Sequence, residues 1–289
     1  MSSADELYVE AVKASRLLKL HAIVTVATAI AYSVCLLVFS SQAFNVLALS
    51  QLTPIKRAGF IASSLAAGQA YGLFANGVGL ALAWVFLGLG LLAAWRVVGG
   101  PGYMRYLSMG IGILGIIMGV LMAASAQWVY EDVYRAVLSA LNKPEMRAIL
   151  VSFSMQNAQQ ALLKISAAIK EAMAALRPVP LVYAASAIAP IVAALAAVCL
   201  EPVARRTGSM VVRAFQVLLF IYVLNSVLGL LRISLGVASI IVSILLWGEP
   251  ITAWLTANRI TAYASSILIN TSSSFSQDTG QVGEVGGTE

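Results

Sequence analysis

From Leu20 to Phe39 the chain runs for 20 residues without an Asp, Glu, Lys or Arg. An α-helix rises about 1.5 Å per residue, so a run of this length can cross the roughly 30 Å hydrocarbon core of a bilayer. The pattern recurs. Gly72–Trp95, Tyr106–Ala126 and Leu181–Leu200 are equally free of those four residues. Charged residues make up 10% of the chain, where a soluble domain carries about a quarter. The reading that follows is an all-α, polytopic transmembrane protein, with about six spans arranged 3+3 around a long amphipathic helical segment.

Five regions follow from that pattern. Residues 1–19 form an N-terminal amphipathic segment that mixes Asp5, Glu6 and Glu10 with Lys13, Arg16 and Lys19. Residues 20–126 hold the first membrane half. Its first two spans are separated by a mixed loop with Pro54, Lys56 and Arg57 and a small-residue segment, Phe60–Tyr71. Gly99-Gly100-Pro101-Gly102 makes a tight turn between spans two and three. Residues 127–180 are an extramembrane or interfacial helical hairpin. Residues 181–258 form the second half. Its fourth span carries Pro190 near the centre, a candidate kink. The apolar pattern then continues past Arg232 to Trp247, too long for one crossing. A break at Gly229–Gly236 gives spans near Met210–Leu228 and Val237–Leu255. Residues 259–289 are an interfacial stretch and a tail, expected to be disordered from Thr271.

The hairpin opens on Trp128, Tyr130 and Tyr134, residue types suited to a membrane–water interface. One helix is expected over Tyr130–Leu141. Asn142 is placed to cap a second, with Pro144 in its first turn. Met146, Leu150, Phe153, Ala161, Ile165, Ile169 and Met173 recur at helical spacing and extend that second helix to Leu176. Its other face carries Gln156, Gln159, Gln160 and Lys164, read either as a solvated surface or as a partner-contact face. In the third span Gly112, Gly115, Gly119 and Ala123 form a small-residue stripe suited to close helix packing, and the second span repeats the theme through Gly77, Gly79, Ala81 and Ala83.

Little in the chain suggests chemistry. His21 is its one histidine, so bis-histidine haem ligation is excluded and a transition-metal cluster is not expected. Beside Lys19, His21 reads as interfacial. Glu249 is the one candidate for a carboxylate within a span, and its neighbour Pro250 argues that the helix leaves the hydrocarbon there. Asn76, Gln216 and Asn225 read as interhelical hydrogen-bonding residues. No GxxxxGK[ST] loop, HExxH helix or GxSxG elbow is present. No catalytic, cofactor or metal residues are therefore expected, and no enzyme; any energy source has to come from a partner. With the hairpin set aside, nine Lys/Arg fall on the N-terminal side against three on the other, which favours a cytoplasmic N-terminus in a cell-membrane protein.

This organisation, carried by the Met146–Leu176 segment and the glycine-bearing Gly112–Gly119 span, resembles the polytopic channel subunits of conjugation-type DNA transfer systems, in particular the Ced-type DNA importers of crenarchaea. The resemblance implies a pore that works with a separate ATPase and small pilin-like subunits, with DNA as cargo. It transfers no motif residue by residue and so no inherited site. The alternative from composition is a self-contained small-solute transporter or a structural subunit of a membrane enzyme complex.

Overall fold

The structure, a computed structural model, describes residues 3–45, 51–153, 156–176, 180–231 and 238–280, and every regular element among them is helical. Helix α1 spans Ser3–Ala43 and α2 spans Pro54–Val98. Neither the 1–19 segment nor the 54–71 segment is separate, because no glycine or proline lies between Ser3 and Ala43 and no proline lies between Ile55 and Val98. The amphipathic start therefore runs on into the first span, and the expected mixed loop is helical from Pro54 onwards. Helix α3 spans Gly102–Ala124, after a turn in which Gly99 takes a φ of 58°. A short helical turn, Ala126–Trp128, and a π-helical turn, Val129–Val133, lead into α4, Tyr134–Leu141. Then follow α5 (Pro144–Val151), α6 (Ala158–Ala175), α7 (Pro180–Thr207), α8 (Met210–Leu230), α9 (Ala238–Leu246) and α10 (Gly248–Gly280).

Among the described residues five helices are long and apolar enough to cross a membrane: α1, α2, α3, α7 and α8. Exposed apolar residues recur along them at helical spacing, as Met109, Ile113 and Ile116 on α3 and Val217, Phe220, Leu224 and Val227 on α8. Such stripes suit lipid. The protein is a multi-pass membrane protein.

Two expectations about continuity fail for local reasons. The second hairpin helix is two helices, α5 and α6, and at the break the side chains of Ser152 and Asn157 bond to backbone carbonyls. Ser152 Oγ donates to Ala148 O at 2.9 Å, and Asn157 Nδ2 donates to Ser152 O at 2.9 Å. Lys143, not Asn142, precedes α5, since a residue before proline is driven to extended backbone and Lys143 has ψ 144°. The expected sixth span is also divided. Pro250 has no N–H to offer Leu246, and α9 ends there while α10 starts at Gly248. Helix α10 then runs on to Gly280, through the first ten residues of the expected disordered tail. Arg232 and most of the Gly229–Gly236 break lie outside the described residues.

The chain divides into two compact units. The first gathers residues 1–25, 82–116 and 186–289. Helix α7 contributes an alanine stripe, with Ala189, Ala193, Ala196 and Ala197 buried, and α8 contributes Val212, Phe215 and Leu219. Gln216 Nε2 donates to Ala197 O at 2.9 Å, one of the interhelical bonds expected of it. The second unit gathers residues 26–81 and 117–185. There Ile61 and Leu65 of α2 pack with Val137 and Leu141 of α4, Leu150 of α5 and Ile165 of α6. Each such buried aliphatic stabilises the unit by about 1.5–3 kcal/mol before chain entropy is counted. Tyr130 stacks on Tyr134 and lies against Tyr71, which in turn stacks on Phe39.

Candidate functional site

His21 and Glu249, far apart in sequence, are buried against each other. His21 is 1% exposed and Glu249 is 7% exposed, and their side chains meet at 2.6 Å between Nε2 and Oε1. The sequence placed each of them separately at an interface; the structure pairs them inside the protein. Both residues belong to the first unit.

The geometry follows from how α1, α2 and α10 are built. Gly90 lets α1 and α2 approach closely, for a Cβ at Gly90 would stand 3.0 Å from the Leu18 side chain. About one turn along α1, the imidazole reaches a backbone carbonyl of α2: His21 Nδ1 lies 2.8 Å from Ala83 O. On the other side, the proline-imposed break between α9 and α10 puts Glu249 in the first turn of α10, where the positive end of the helix dipole favours a carboxylate. Thr252 steadies that turn, its hydroxyl lying 3.0 Å from Gly248 O and 2.9 Å from Glu249 O. Gly248 allows the turn to sit close to Leu218 of α8.

A carbonyl oxygen only accepts, so the Ala83 contact makes Nδ1 the protonated nitrogen. Nε2 and Glu249 Oε1 therefore share one further proton. It resides either on the carboxyl, donating to a neutral imidazole, or on the imidazole, donating to a carboxylate. Both arrangements are neutral as a pair, and a separation of 2.6 Å suits a charge-assisted bond. Isolation of either charge in this interior would cost several kcal/mol, which is why the two are found together. The pair amounts to a buried proton-binding site.

Aromatic rings enclose it. Trp84 lies 5.9 Å and Phe215 6.4 Å from the imidazole, centroid to centroid, and Tyr222 meets Trp84 edge-on at 5.6 Å. The Trp84 indole nitrogen and the Thr256 hydroxyl, both buried, have no hydrogen-bond partner. An unpaired buried donor costs about 1–3 kcal/mol, and such orphans are few in native structures.

The residues singled out from sequence are distributed elsewhere. Gly115 is buried, Gly112 is partly buried and Ala123 is exposed. A Cβ at Gly119 would make only ordinary contact with Ala81, at 3.5 Å. Gly77 and Gly79 do not share a face: the first is covered by Met122, the second by Thr28. In the first unit Gly88 lies directly against the backbone of Gly112 and Ser108. Gln156, Gln159, Gln160 and Lys164 are all exposed, on and just before α6. Pro190 is buried, and α7 is a single helix through it. Among the described residues no group of three or more His, Cys, Asp or Glu side chains is placed to hold a metal.

Comparison with known protein families finds none that the chain matches, and comparisons with curated proteins and with solved structures find no match either.

Proposed function

We propose that this is a membrane transport protein whose working element is the proton shared by His21 and Glu249. The observation that carries the reading is the burial of the pair: two ionisable side chains bonded to each other inside one unit, Glu249 on the first turn of a helix that follows a break at proline. Charged groups in that setting are costly, and transporters use them for ion pathways and proton relays. Interrupted helices at the midplane are likewise where coupling ions and substrates are held. Proton exchange at the pair would alter the charge on the first turn of α10, and the break at Trp247–Pro250 gives that turn a joint about which to move. The buried indole N–H of Trp84 and hydroxyl of Thr256 add polar groups in the same unit for a bound solute.

The test uses the full chain reconstituted in vesicles loaded with a pH-sensitive dye, with a membrane potential imposed by potassium and valinomycin. The protein should admit protons faster than empty vesicles do. Glu249→Gln keeps a hydrogen-bonding partner for Nε2 but removes the exchangeable carboxyl proton, and should return the rate to that of empty vesicles. Equal rates for wild type and Glu249→Gln would sink the reading.

A second reading, the membrane subunit of a translocation complex, rests on the exposed face bearing Gln156, Gln159, Gln160 and Lys164. In that reading the face docks soluble or membrane partners, with an ATPase and small pilin-like proteins expected and DNA as the cargo. Affinity purification from the native membrane distinguishes the two. Co-purification of an ATPase that is lost when those four residues are replaced by alanine favours the complex; a solitary protein favours the self-contained transporter.

A further inference from the structure

The first unit carries a second polar feature that the proton pair does not use. A groove of about 410 Å³ runs between the N-terminal part of α1 and the middle of α10. Arg16 and Lys19, one turn apart on α1, line one wall, and Asn258 stands on the other. The Lys19 ammonium lies 5.1 Å from the centre of the Trp254 ring, a cation–π contact that fixes the end of a long side chain. No ion pair of the described residues involves Arg16 or Lys19. On the part of the facing helix from Gly248 to Ile269 the one acidic side chain is Glu249, which is bonded to His21. On α1 the acids Asp5, Glu6 and Glu10 all precede the groove, and Glu10 is taken by Arg96 at 2.6 Å.

Two cations held at one wall without a counter-charge, opposite a side-chain amide, form a site for an oxyanion. Arginine offers a planar fork of N–H donors that fits phosphate oxygens in pairs, and lysine adds a point charge. Asn258 supplies a neutral donor. The Thr261 and Ser265 hydroxyls turn back to their own helix, Thr261 Oγ1 to Ala257 O at 3.2 Å and Ser265 Oγ to Thr261 O at 3.0 Å, and leave the charged groups to set the preference. The volume exceeds the roughly 30 Å³ of a water molecule many times over, enough for a phosphate with an organic group attached.

We propose that the α1–α10 groove binds a phosphate-bearing anion through Arg16, Lys19 and Asn258. The phosphate belongs either to an anionic lipid headgroup or to a free solute, and the groove stands on its own geometry whether or not the His21–Glu249 pair moves protons. The full chain in phosphatidylcholine nanodiscs is dialysed against radiolabelled inorganic phosphate. In parallel, the detergent-purified chain is offered phosphatidylglycerol and phosphatidylcholine in equal amounts, and retained lipid is read by native mass spectrometry. Saturable phosphate binding that weakens at least tenfold in Arg16→Gln/Lys19→Gln identifies a free-anion site. Preferential retention of phosphatidylglycerol, lost in the same double variant, identifies a headgroup site. Lys13→Gln removes a neighbouring cation outside the groove and should bind as wild type does; Asn258→Leu should weaken binding with the charges left in place. Absence of both forms of binding overturns the proposal. So does a loss of binding in Lys13→Gln equal to that in the double variant, which would mark mere surface charge.

Discussion

Gly88→Ala is the sharpest test of how the first unit is packed. A methyl built on Gly88 would stand 2.9 Å from the Gly112 Cα and 2.9 Å from the Ser108 carbonyl oxygen. Both are main-chain atoms of α3, so no side-chain rotation relieves the clash; the two helices have to separate by somewhat less than 1 Å. Overpacking of this kind costs typically about 1–3 kcal/mol, against about 0.5–1 kcal/mol gained from replacing glycine by alanine in a helix. The net expectation is a loss of about 1–2 kcal/mol. Gly119→Ala supplies the internal control, because its methyl would meet only the Ala81 side chain at 3.5 Å. That variant should be neutral or slightly stabilised. SDS-titration unfolding in mixed micelles, followed by circular dichroism, reads both midpoints. If Gly88→Ala unfolds at the same SDS fraction as Gly119→Ala, α2 and α3 do not approach each other closely at Gly88.

Two further outcomes follow from the buried polar groups. Glu249→Ala should destabilise by about 3–5 kcal/mol in the same unfolding assay, because it strands the His21 imidazole, whereas Glu249→Gln should cost about 1 kcal/mol, its amide N–H donating to Nε2. Equal losses in the two variants would mean that the pair contributes volume and not hydrogen bonding. Cys199 is fully buried, with its sulfur 3.7 Å from the Ser108 hydroxyl. In a Cys35→Ser background it should resist N-ethylmaleimide until SDS unfolds the protein; mass spectrometry of labelled native protein checks this, and prompt labelling would refute the packing of α7 against α3.

The helices were readable because lipid-crossing segments announce themselves by what they lack: three of the four charge-free runs fall inside one helix, and the run Tyr106–Ala126 outlasts α3 by two residues. Boundaries inside the polar hairpin were not readable, because the apolar period from Met146 to Met173 passes straight across the Ser152–Asn157 break. Periodicity reports which face is buried, and that face stays the same on both sides of the interruption. Pro250 did signal a helix break, yet sequence could not say that the chain after the break stays within the bundle. The candidate site was missed for a related reason. His21 was read beside Lys19 and Glu249 beside Pro250, each from its sequence neighbours, while the contact that matters joins residues 228 apart. One signal was available: the single histidine and the one acidic residue within an otherwise apolar run are the two ionisable groups whose burial would require each other.

That separation bears on how the protein is made. Translation delivers His21 in the first crossing helix, and Glu249 follows only after the other crossing helices have been synthesised. Throughout that interval the imidazole has the Ala83 carbonyl but not its carboxyl partner, and the first unit carries a polar group that lipid cannot satisfy. Docking of α10 closes the account. A chain cut short before Gly248 is therefore not a smaller version of this protein but one with an unfilled hydrogen bond at its centre, the kind of defect by which membrane quality control can recognise an unfinished product.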